Sequence, residues 1–428
     1  MRRLDLAGAL PAGSDITRGA LSRSEIADLL TAADATEELH RFNEEFTPRF
    51  SARVQSHYEY RAGAVDSGHG YDLDWSGAQP LPNLSRIGVG ARLAFESRRL
   101  GASIAVTDEG IEELQLVANL SPLSVWAGRR SNGYTVGQYG IVATPHHYDA
   151  VGIALDQPVH VKAIGALRFE TQVGTIKNRL NFNNQENEIE PYYWLTRISM
   201  QPARSFILGI NRGMMLGGEG NLPITFARVL RNAVGLYYTH NGENSFANQL
   251  VTVDLKVRTT RWPTKAYIEW GAEDAAGGWW HEPGILAGIE VATSRAAGTA
   301  VGLERTEFVR NQRSNSLWYQ NAWFRGGWSD AGELMGHPLG GDGTEWRMFA
   351  QGHEARIAHW QVAAYERRRG PQNVFSPQRQ GQSRGIAANF DVLLMKKATL
   401  NVRAEREGGK AGAWSRTEVR VGGAYAIR

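Results

Sequence analysis

The sequence contains no cysteine in its 428 residues. A disulfide framework, a thiolate metal site and a cysteine nucleophile are therefore excluded. His146 and His147 are adjacent, but neighbouring residues of a strand point to opposite faces, and no carboxylate follows them at a metal-ligand spacing. We expect no metal site and no cofactor.

Long apolar runs are also missing. No stretch of about 18 apolar residues occurs, which excludes a transmembrane helix. A barrel in an outer membrane remains possible, because each of its strands needs only about ten residues of alternating character. Residues 1–15 begin with basic side chains but lack the full apolar core of a secretory signal, so they predict a mature, clipped or cytoplasmic chain.

Charge is not concentrated in any segment. The chain carries 47 Lys and Arg against 44 Asp and Glu, and the two signs are interspersed. Because basic blocks are lacking, no nucleic-acid partner is expected. The sequence also lacks a GxSxG nucleophile elbow, a GxGxxG dinucleotide motif and a phosphate loop, so we expect no enzyme.

Strand signals dominate from residue 49 onward and are clearest over residues 249–274. Apolar and polar residues alternate strictly from Leu250 to Arg258, a period of two that predicts a strand. The alternation resumes after the turn-like segment TTRWP, so the two runs predict an antiparallel hairpin. Similar alternation recurs in residues 87–96, 167–172, 386–394, 400–405 and 418–428.

The alternation alone fits both a soluble β-sandwich and a membrane barrel. In a sandwich the polar face meets water, whereas in a barrel the apolar face meets lipid and the polar face lines the lumen. An open arrangement of about sixteen to eighteen strands leaves many edges to protect, and closure removes them. The 48 Gly, 13 Trp and 14 Tyr suit a barrel with aromatic girdles. We predict an all-β fold, a large closed antiparallel transmembrane β-barrel.

A helical period occurs over residues 22–46. Ser22 and Glu25 form a capping box, and Ile26, Leu29 and Leu30 lie on one apolar face. We predict a small N-terminal helical segment over residues 1–48, followed by the barrel over residues 49–428.

Four stretches carry a family resemblance: RISMQPARSFILGINRGMMLGGEG at 197–220, residues 126–155 beginning WAGRRSNGY, the hairpin at 249–274, and the helix LSRSEIADLL at 21–30. They resemble the Wzi-like capsule assembly proteins, outer-membrane barrels of Gram-negative bacteria. The resemblance implies a barrel of about 18 strands with the helical segment at its periplasmic end. It also implies a non-catalytic protein of the cell outer membrane that binds capsular or extracellular polysaccharide and holds it at the surface. We expect a monomer surrounded by outer-membrane lipid.

Two aromatic groups in predicted loops are candidates for polysaccharide binding. An aromatic ring stacks on the apolar face of a sugar while polar neighbours bind its hydroxyls, and an arginine suits an acidic polysaccharide. An interfacial aromatic girdle is the simpler explanation of the same residues. The candidates are Trp279, Trp280, Glu282, Trp318, Trp323 and Arg325.

Charged residues of the predicted strands are candidates for the wall of the lumen. Paired with opposite charges inside a barrel, they would stiffen the wall and set the electric field within it. They are Arg129, Arg212, Asp254, Lys256 and Arg258.

Two further functions fit a barrel of this kind. A porin or polysaccharide export channel would also have a charged lumen. An outer-membrane hydrolase would need a serine and a histidine converging from neighbouring strands. The polysaccharide-binding barrel is the function that we predict.

Overall fold

The computed structural model of the chain describes most of residues 50–427. The described ranges are 50–63, 84–97, 100–108, 110–155, 158–162, 164–179, 188–218, 224–225, 227, 247–259, 263–273, 283–293, 299–308, 318–320, 324, 326–330, 333–352, 357–371, 373, 375, 379–395 and 397–427. The predicted helical segment over residues 1–48 lies outside these ranges.

Eighteen antiparallel strands form the wall of a closed barrel, as predicted. In chain order, β1 to β18 are Phe50–Gly63, Leu84–Glu96, Leu100–Thr107, Gly110–Asn119, Leu123–Tyr134, Ala143–Leu155, Gly165–Thr175, Tyr192–Ala203, Phe206–Leu216, Ala247–Thr259, Thr264–Glu273, Gly284–Ala292, Ala300–Phe308, Gly343–Gly352, Ile357–Arg369, Gly381–Met395, Ala398–Gly409 and Ser415–Ile427.

Each wall strand pairs with its neighbours in sequence, and β1 closes the barrel on β18 with Val54 opposite Tyr425. The short strand Val159–Val161 adds a partial pairing to β7. In the described ranges there are also two small ladders and a 3-10 turn: Asn178–Arg179 with Glu188–Ile189, Ser329–Asp330 with Glu333–Leu334, and the turn Lys410–Gly412. Within the described ranges, no helix is long and apolar enough to cross a membrane.

The predicted hairpin consists of β10 and β11, with Leu255 opposite Ile268. Its polar residues point into the barrel, where Asp254 is 0% exposed, and its apolar residues point outward, where Ile268 is 41% exposed. A soluble sandwich would bury the apolar face. The observed inversion is the arrangement of a barrel in lipid, and it overturns the soluble alternative.

The two ends of the barrel differ in their connections. The end that contains Phe50 and Ile427 has short turns, such as residues 204–205 and 260–263. The opposite end, called here the long-loop end, carries the longer connections, among them residues 176–191, 217–246, 309–342 and 370–380.

The lumen is filled along part of its wall and open along the rest. Leu195, Met215 and Leu250 face inward from β8, β9 and β10 and are buried in one apolar cluster. On the opposite side, Arg403 of β17 faces inward across from Arg420 of β18, and its side chain is exposed. Water therefore reaches the lumen beside β17 and β18 but is excluded beside β8 to β10.

Candidate functional site

Two loops fold back into the barrel from its long-loop end and together form a plug. The first, residues 135–142, connects β5 to β6. The second lies between β13 and β14, and its described part falls within residues 318–342. Val136, Ile141 and Val142 of the first loop are completely buried. An apolar loop of this kind is stable only inside a closed wall, because its side chains would otherwise meet water.

Carboxylates of the barrel wall hold the first loop. The Ile141 N–H donates to Glu269 Oε2 at 2.9 Å, and the Gln138 N–H donates to Glu304 Oε2 at 2.8 Å. Gly137 allows this approach, because a Cβ there would lie 1.9 Å from Glu304 Oε2. Inward-facing glutamates thus satisfy the backbone of a segment that has no ladder of its own.

The second loop is bonded to the backbone of the first. Trp328 is fully buried and its Nε1–H donates to the Val142 carbonyl at 2.8 Å. The Tyr319 hydroxyl donates to the Ile141 carbonyl at 2.7 Å and accepts the His337 N–H at 2.9 Å. Because the aromatic side chains of one loop satisfy carbonyls of the other, neither loop is complete alone.

Tyr319 holds a backbone conformation that few L-residues adopt, with φ of 68°. Its N–H donates to Glu273 of β11, and its ring packs edge-on against Phe308 with centroids 5.3 Å apart. Such a residue costs about 1–3 kcal/mol and persists only where its surroundings fix it. Contacts at both the backbone and the ring supply that constraint.

His337 is buried beneath the second loop with both ring nitrogens engaged. The Leu339 N–H donates to Nδ1 at 3.1 Å, so Nδ1 carries no proton. Nε2 therefore carries the proton and donates to Thr306 Oγ1 at 3.1 Å. Burial lowers the pKa of His337 to about 3. The imidazole is neutral at pH 7, and the closed plug has no place for a second proton.

A buried polar network joins four wall strands to the plug. Arg197 Nη1 lies 2.6 Å from Asp254 Oδ2, and both side chains are buried. Asn211 Nδ2 donates to Asp254 Oδ2 at 3.0 Å and to Thr252 Oγ1 at 3.1 Å. Thr252 in turn donates to Glu269 Oε1 at 2.7 Å. The network therefore orients Glu269, the carboxylate that accepts the Ile141 N–H of the plug.

A second charged network lies nearer the long-loop end on β14, β15 and β17. Glu407 accepts from Arg367, Arg369 and Arg379 at 3.2, 2.6 and 3.1 Å. Arg367 also bonds to Glu345. Arg379 belongs to the loop 370–380, so this network ties a third long-loop segment to the wall. Arginine suits this position because its planar fork binds carboxylates at several nitrogens.

The structure places three predicted lumen residues on the inner face. Asp254, Lys256 and Arg258 of β10 all point inward and are buried. They lie on the filled side of the lumen. Asp254 therefore belongs to the packed polar network with Arg197, and Lys256 and Arg258 are buried further along the same face of β10.

The prediction that Arg129 lines the lumen is wrong, because this residue lies on the outer wall. It pairs across the ladder with Leu114, which is exposed on the outer face, and its Nη2 lies 2.7 Å from Asp149 Oδ2. Its neighbour Arg130 faces inward and stacks on Trp126 at 3.4 Å. Adjacent strand residues point to opposite faces, so only one of these two arginines enters the lumen.

The prediction that Arg212 lines the lumen is also wrong, because this residue too lies on the outer wall. It shares the outer face of β9 with the exposed Ile210, and its Nη2 donates to Gln249 Oε1 at 2.9 Å. The inward residue at this point is Asn211. The polar character of Arg212 is accommodated on the outer wall close to the long-loop end.

Trp318 does not lie on an accessible sugar-binding surface, so the prediction for this residue is wrong. It is 3% exposed and packs in the plug against Phe308, with ring centroids 5.3 Å apart. A Cβ on Gly284 would lie 2.8 Å from its ring, so β12 leaves space for it. The other five candidates, Trp279, Trp280, Glu282, Trp323 and Arg325, lie outside the described residues.

Sequence reasoning missed the plug. The signal was present as an apolar, glycine-interrupted segment between two strands, with Val136, Ile141 and Val142 around Gly137 and Gly140. A connection that runs over a surface would have fewer apolar residues. Its partners could not be found in this way, because they lie more than a hundred residues away in the chain.

The paired histidines occupy opposite faces of β6, as expected. His146 Nε2 lies 2.9 Å from Asp330 Oδ2 inside the barrel, and His147 is exposed outside. In the part of the chain that the structure describes, no group of three or more His, Asp or Glu could hold a metal ion.

Comparisons with known proteins agree with this geometry. The sequence profile of the family described as "Capsule assembly protein Wzi" matches residues 148–417, well over half of the chain. No curated protein sequence gives a significant match.

Solved structures match the whole barrel. Wzi of Escherichia coli, described as an outer membrane protein involved in group 1 capsule assembly and a carbohydrate-binding β-barrel, superposes with a TM-score of 0.73 at 16% identity, covering 98% of this chain and 97% of that one. OccK11 (OpdR) and OpdQ of Pseudomonas aeruginosa give TM-scores of 0.54 and 0.52, both at 9% identity, and cover 88% of this chain and 95% and 97% of theirs. At these identities the likeness shows the fold.

Removing one partner of the buried Arg197–Asp254 pair should destabilise the barrel strongly. Asp254→Asn leaves the Arg197 charge buried without its counter-ion, which costs about 3–5 kcal/mol. Chemical denaturation of the protein in detergent micelles measures this cost. The matched control is Glu366→Gln, which breaks the exposed pair with Arg384 on the polar part of the outer wall and should cost less than about 1 kcal/mol. If both variants lost the same free energy of unfolding, the buried pair would not contribute more to stability than the exposed one, and the prediction would be wrong.

Acidification should loosen the plug. The pKa of His337 is about 3 in the closed plug and about 6.5 when the side chain is exposed. The opened form therefore binds the proton first, and the closed form loses about 1.4 kcal/mol for each pH unit below 6.5 until pH 3 is reached. We expect the tryptophan emission, to which Trp318 and Trp328 contribute, to shift to the red between pH 7 and pH 5.

His337→Asn is the control for this titration. Its Oδ1 can still accept the Leu339 N–H, but the side chain takes up no proton. The red shift should disappear in this variant. An unchanged red shift would show that another group opens the plug.

Proposed function

Because the chain belongs to the Wzi capsule assembly protein family, we propose that it is an outer-membrane barrel that binds capsular or extracellular polysaccharide and helps to attach it at the cell surface. Longer loops are extracellular in barrels of this type. The plug then closes the barrel from outside, and the long-loop end is the face that meets the polymer.

The observation that carries this proposal is the packed plug. Its two loops bond to each other and to inward-facing glutamates, so the lumen at the long-loop end is occupied by protein. A transport channel needs a continuous water path, whereas a binding protein needs a rigid platform under its loops. The plug supports binding over conduction, and the carbohydrate-binding E. coli structure has the same fold.

The candidate aromatic residues belong to connections at this face. Trp279, Trp280 and Glu282 lie between β11 and β12, and Trp323 and Arg325 lie between β13 and β14. We propose that their rings stack on sugars and that Arg325 binds an acidic group of the polymer. The connection between β11 and β12 begins and ends next to the plug, and the connection between β13 and β14 contains the second plug loop.

Binding without catalysis is also part of the proposal. His337 has Nδ1 occupied by the Leu339 N–H and Nε2 bonded to Thr306, and it is buried. Neither nitrogen is available to activate a nucleophile on a substrate, which a hydrolase would require.

We further propose that the protein acts as a monomer in direct contact with lipid. Closure between β1 and β18 removes the sheet edges through which another strand could add. The outer face is apolar over its middle, with Val89, Met348 and Ile386 well exposed. Such a belt is satisfied by acyl chains alone.

Replacing the loop tryptophans should weaken polysaccharide binding. Each stacked ring contributes about 1 kcal/mol, or about fivefold in affinity, beyond its buried area. We expect a progressive loss from Trp279→Ala to the triple variant Trp279→Ala/Trp280→Ala/Trp323→Ala, measured on a sensor surface carrying capsular polysaccharide purified from the producing strain.

Trp360→Ala is the matched control for this series. Trp360 lies opposite Gly352 near the short-turn end of β15, on the same outer face as the exposed Val362, and its removal should leave the affinity unchanged. Unaltered binding by the triple variant would show that these tryptophans do not form the binding surface.

A further inference from the structure

The outer wall of β13 to β17 changes character abruptly near the long-loop end. One row of paired residues across β13 to β16 is apolar and exposed, with Met348 at 65% and Ile386 at 64%. It consists of Leu303, Met348, Ala364 and Ile386. The next outward row toward the loops is polar and consists of Arg305, Trp346, Glu366 and Arg384. The lipid-facing belt therefore ends between these two rows.

Cations outnumber carboxylates on this part of the wall. Arg368 belongs to the following outward row, and Arg406 lies beside Ile386 on the outer face. Lys410, in the turn after β17, interacts electrostatically with Glu366. The set, called here the basic patch, comprises Arg305, Arg368, Arg384, Arg406 and Lys410, with the carboxylates Glu307 and Glu366.

Two arginines of the basic patch are held in place yet keep free donors. Arg305 lies over the Trp346 ring at 5.2 Å and bonds to Glu307 through Nη2. Arg384 bonds to Glu366 Oε2 through Nε at 2.9 Å, with 79% of its side chain exposed. A guanidinium has five N–H donors, so each keeps several for a ligand. The carboxylates orient these arginines without saturating them.

Arg368 and Arg406 are exposed. Within the described ranges, neither forms an ion pair or a hydrogen bond. Arg368 and Arg406 are each diagonal cross-strand neighbours of Arg384, and such neighbours lie about 7–8 Å apart, so these long side chains can converge with Arg384 on one ligand. A planar guanidinium matches a phosphate oxygen pair in geometry and in charge.

The position of the basic patch on the barrel indicates which kind of anion it binds. The basic patch faces sideways from the barrel wall and directly adjoins residues that contact acyl chains, whereas a polymer above the cell surface meets the loops. Trp346 marks the same level, because amphipathic rings settle where acyl chains meet head groups. We infer that the basic patch binds the phosphate groups of a phosphorylated glycolipid in the outer leaflet.

Native mass spectrometry of the full-length protein released from detergent micelles tests this inference with bis-phosphorylated lipid A as the probe. Arg368→Gln/Arg406→Gln removes two cations that form no ion pair or hydrogen bond with the described residues, so no described contact of the wall is lost. We expect lipid A retention to fall at least about tenfold, because hydrogen bonds to charged groups are among the strongest. Dephosphorylated lipid A should be retained by the wild type as weakly as lipid A is by the variant.

Arg129→Gln is the matched control, since it removes an outer-wall arginine outside the basic patch. It should leave lipid A retention unchanged.

Equal loss of lipid A retention in this control, or full retention by the double variant, would overturn the inference. Competition by inorganic phosphate alone would show a free-anion site, and loss of polysaccharide binding by the double variant would assign the basic patch to the polymer. Heat-modifiable gel mobility verifies folding, and Arg368→Gln alone replaces the double variant if that one fails to fold.

Discussion

The structure depends on inward-facing carboxylates that are satisfied by the backbone of a loop. Glu269 and Glu304 are fully buried, and each accepts an amide of the segment 135–142. Without the loop these carboxylates would lose those two amide donors, and without the carboxylates the loop would have buried, unsatisfied amides. Wall and plug therefore form one cooperative unit. The Arg197–Asp254 network behind Glu269 extends that unit across four strands.

As a result, the lumen has two regions that differ in their access to water. Beside β8 to β13 the interior is dry and packed, and buried charges there require partners. Beside β17 and β18 inward-facing side chains such as Arg403 remain in contact with water. A barrel organised in this way presents a solid, asymmetric platform to the outside. That platform suits recognition of a surface polymer by loops at its edge.

Much of this architecture could be predicted from alternation. The residues from Leu250 to Arg258 gave the correct strand and the correct hairpin, because a period of two is a local signal. The same rule could not decide between Arg129 and Arg130, since one of two adjacent arginines faces outward and only the register shows which. The plug could not be predicted from the sequence for another reason. Its bonds join Ile141 to Glu269 and Trp328 to Val142, and contacts over such separations leave no periodic trace. Trp318 was misplaced because aromatic residues suit buried plugs and sugar platforms equally.

The central claim is that this barrel is closed by its own loops and binds polymer instead of conducting solutes. Planar-bilayer conductance tests it most directly, with the wild type compared to a variant whose residues 136–141 are replaced by a Gly-Ser linker of equal length. We expect the wild type to be silent and the variant to conduct, because the linker cannot fill the apolar cluster or satisfy Glu269 and Glu304 in the same way. Conductance steps in the wild type equal to those of the variant would contradict the claim and restore the porin or export channel as the function.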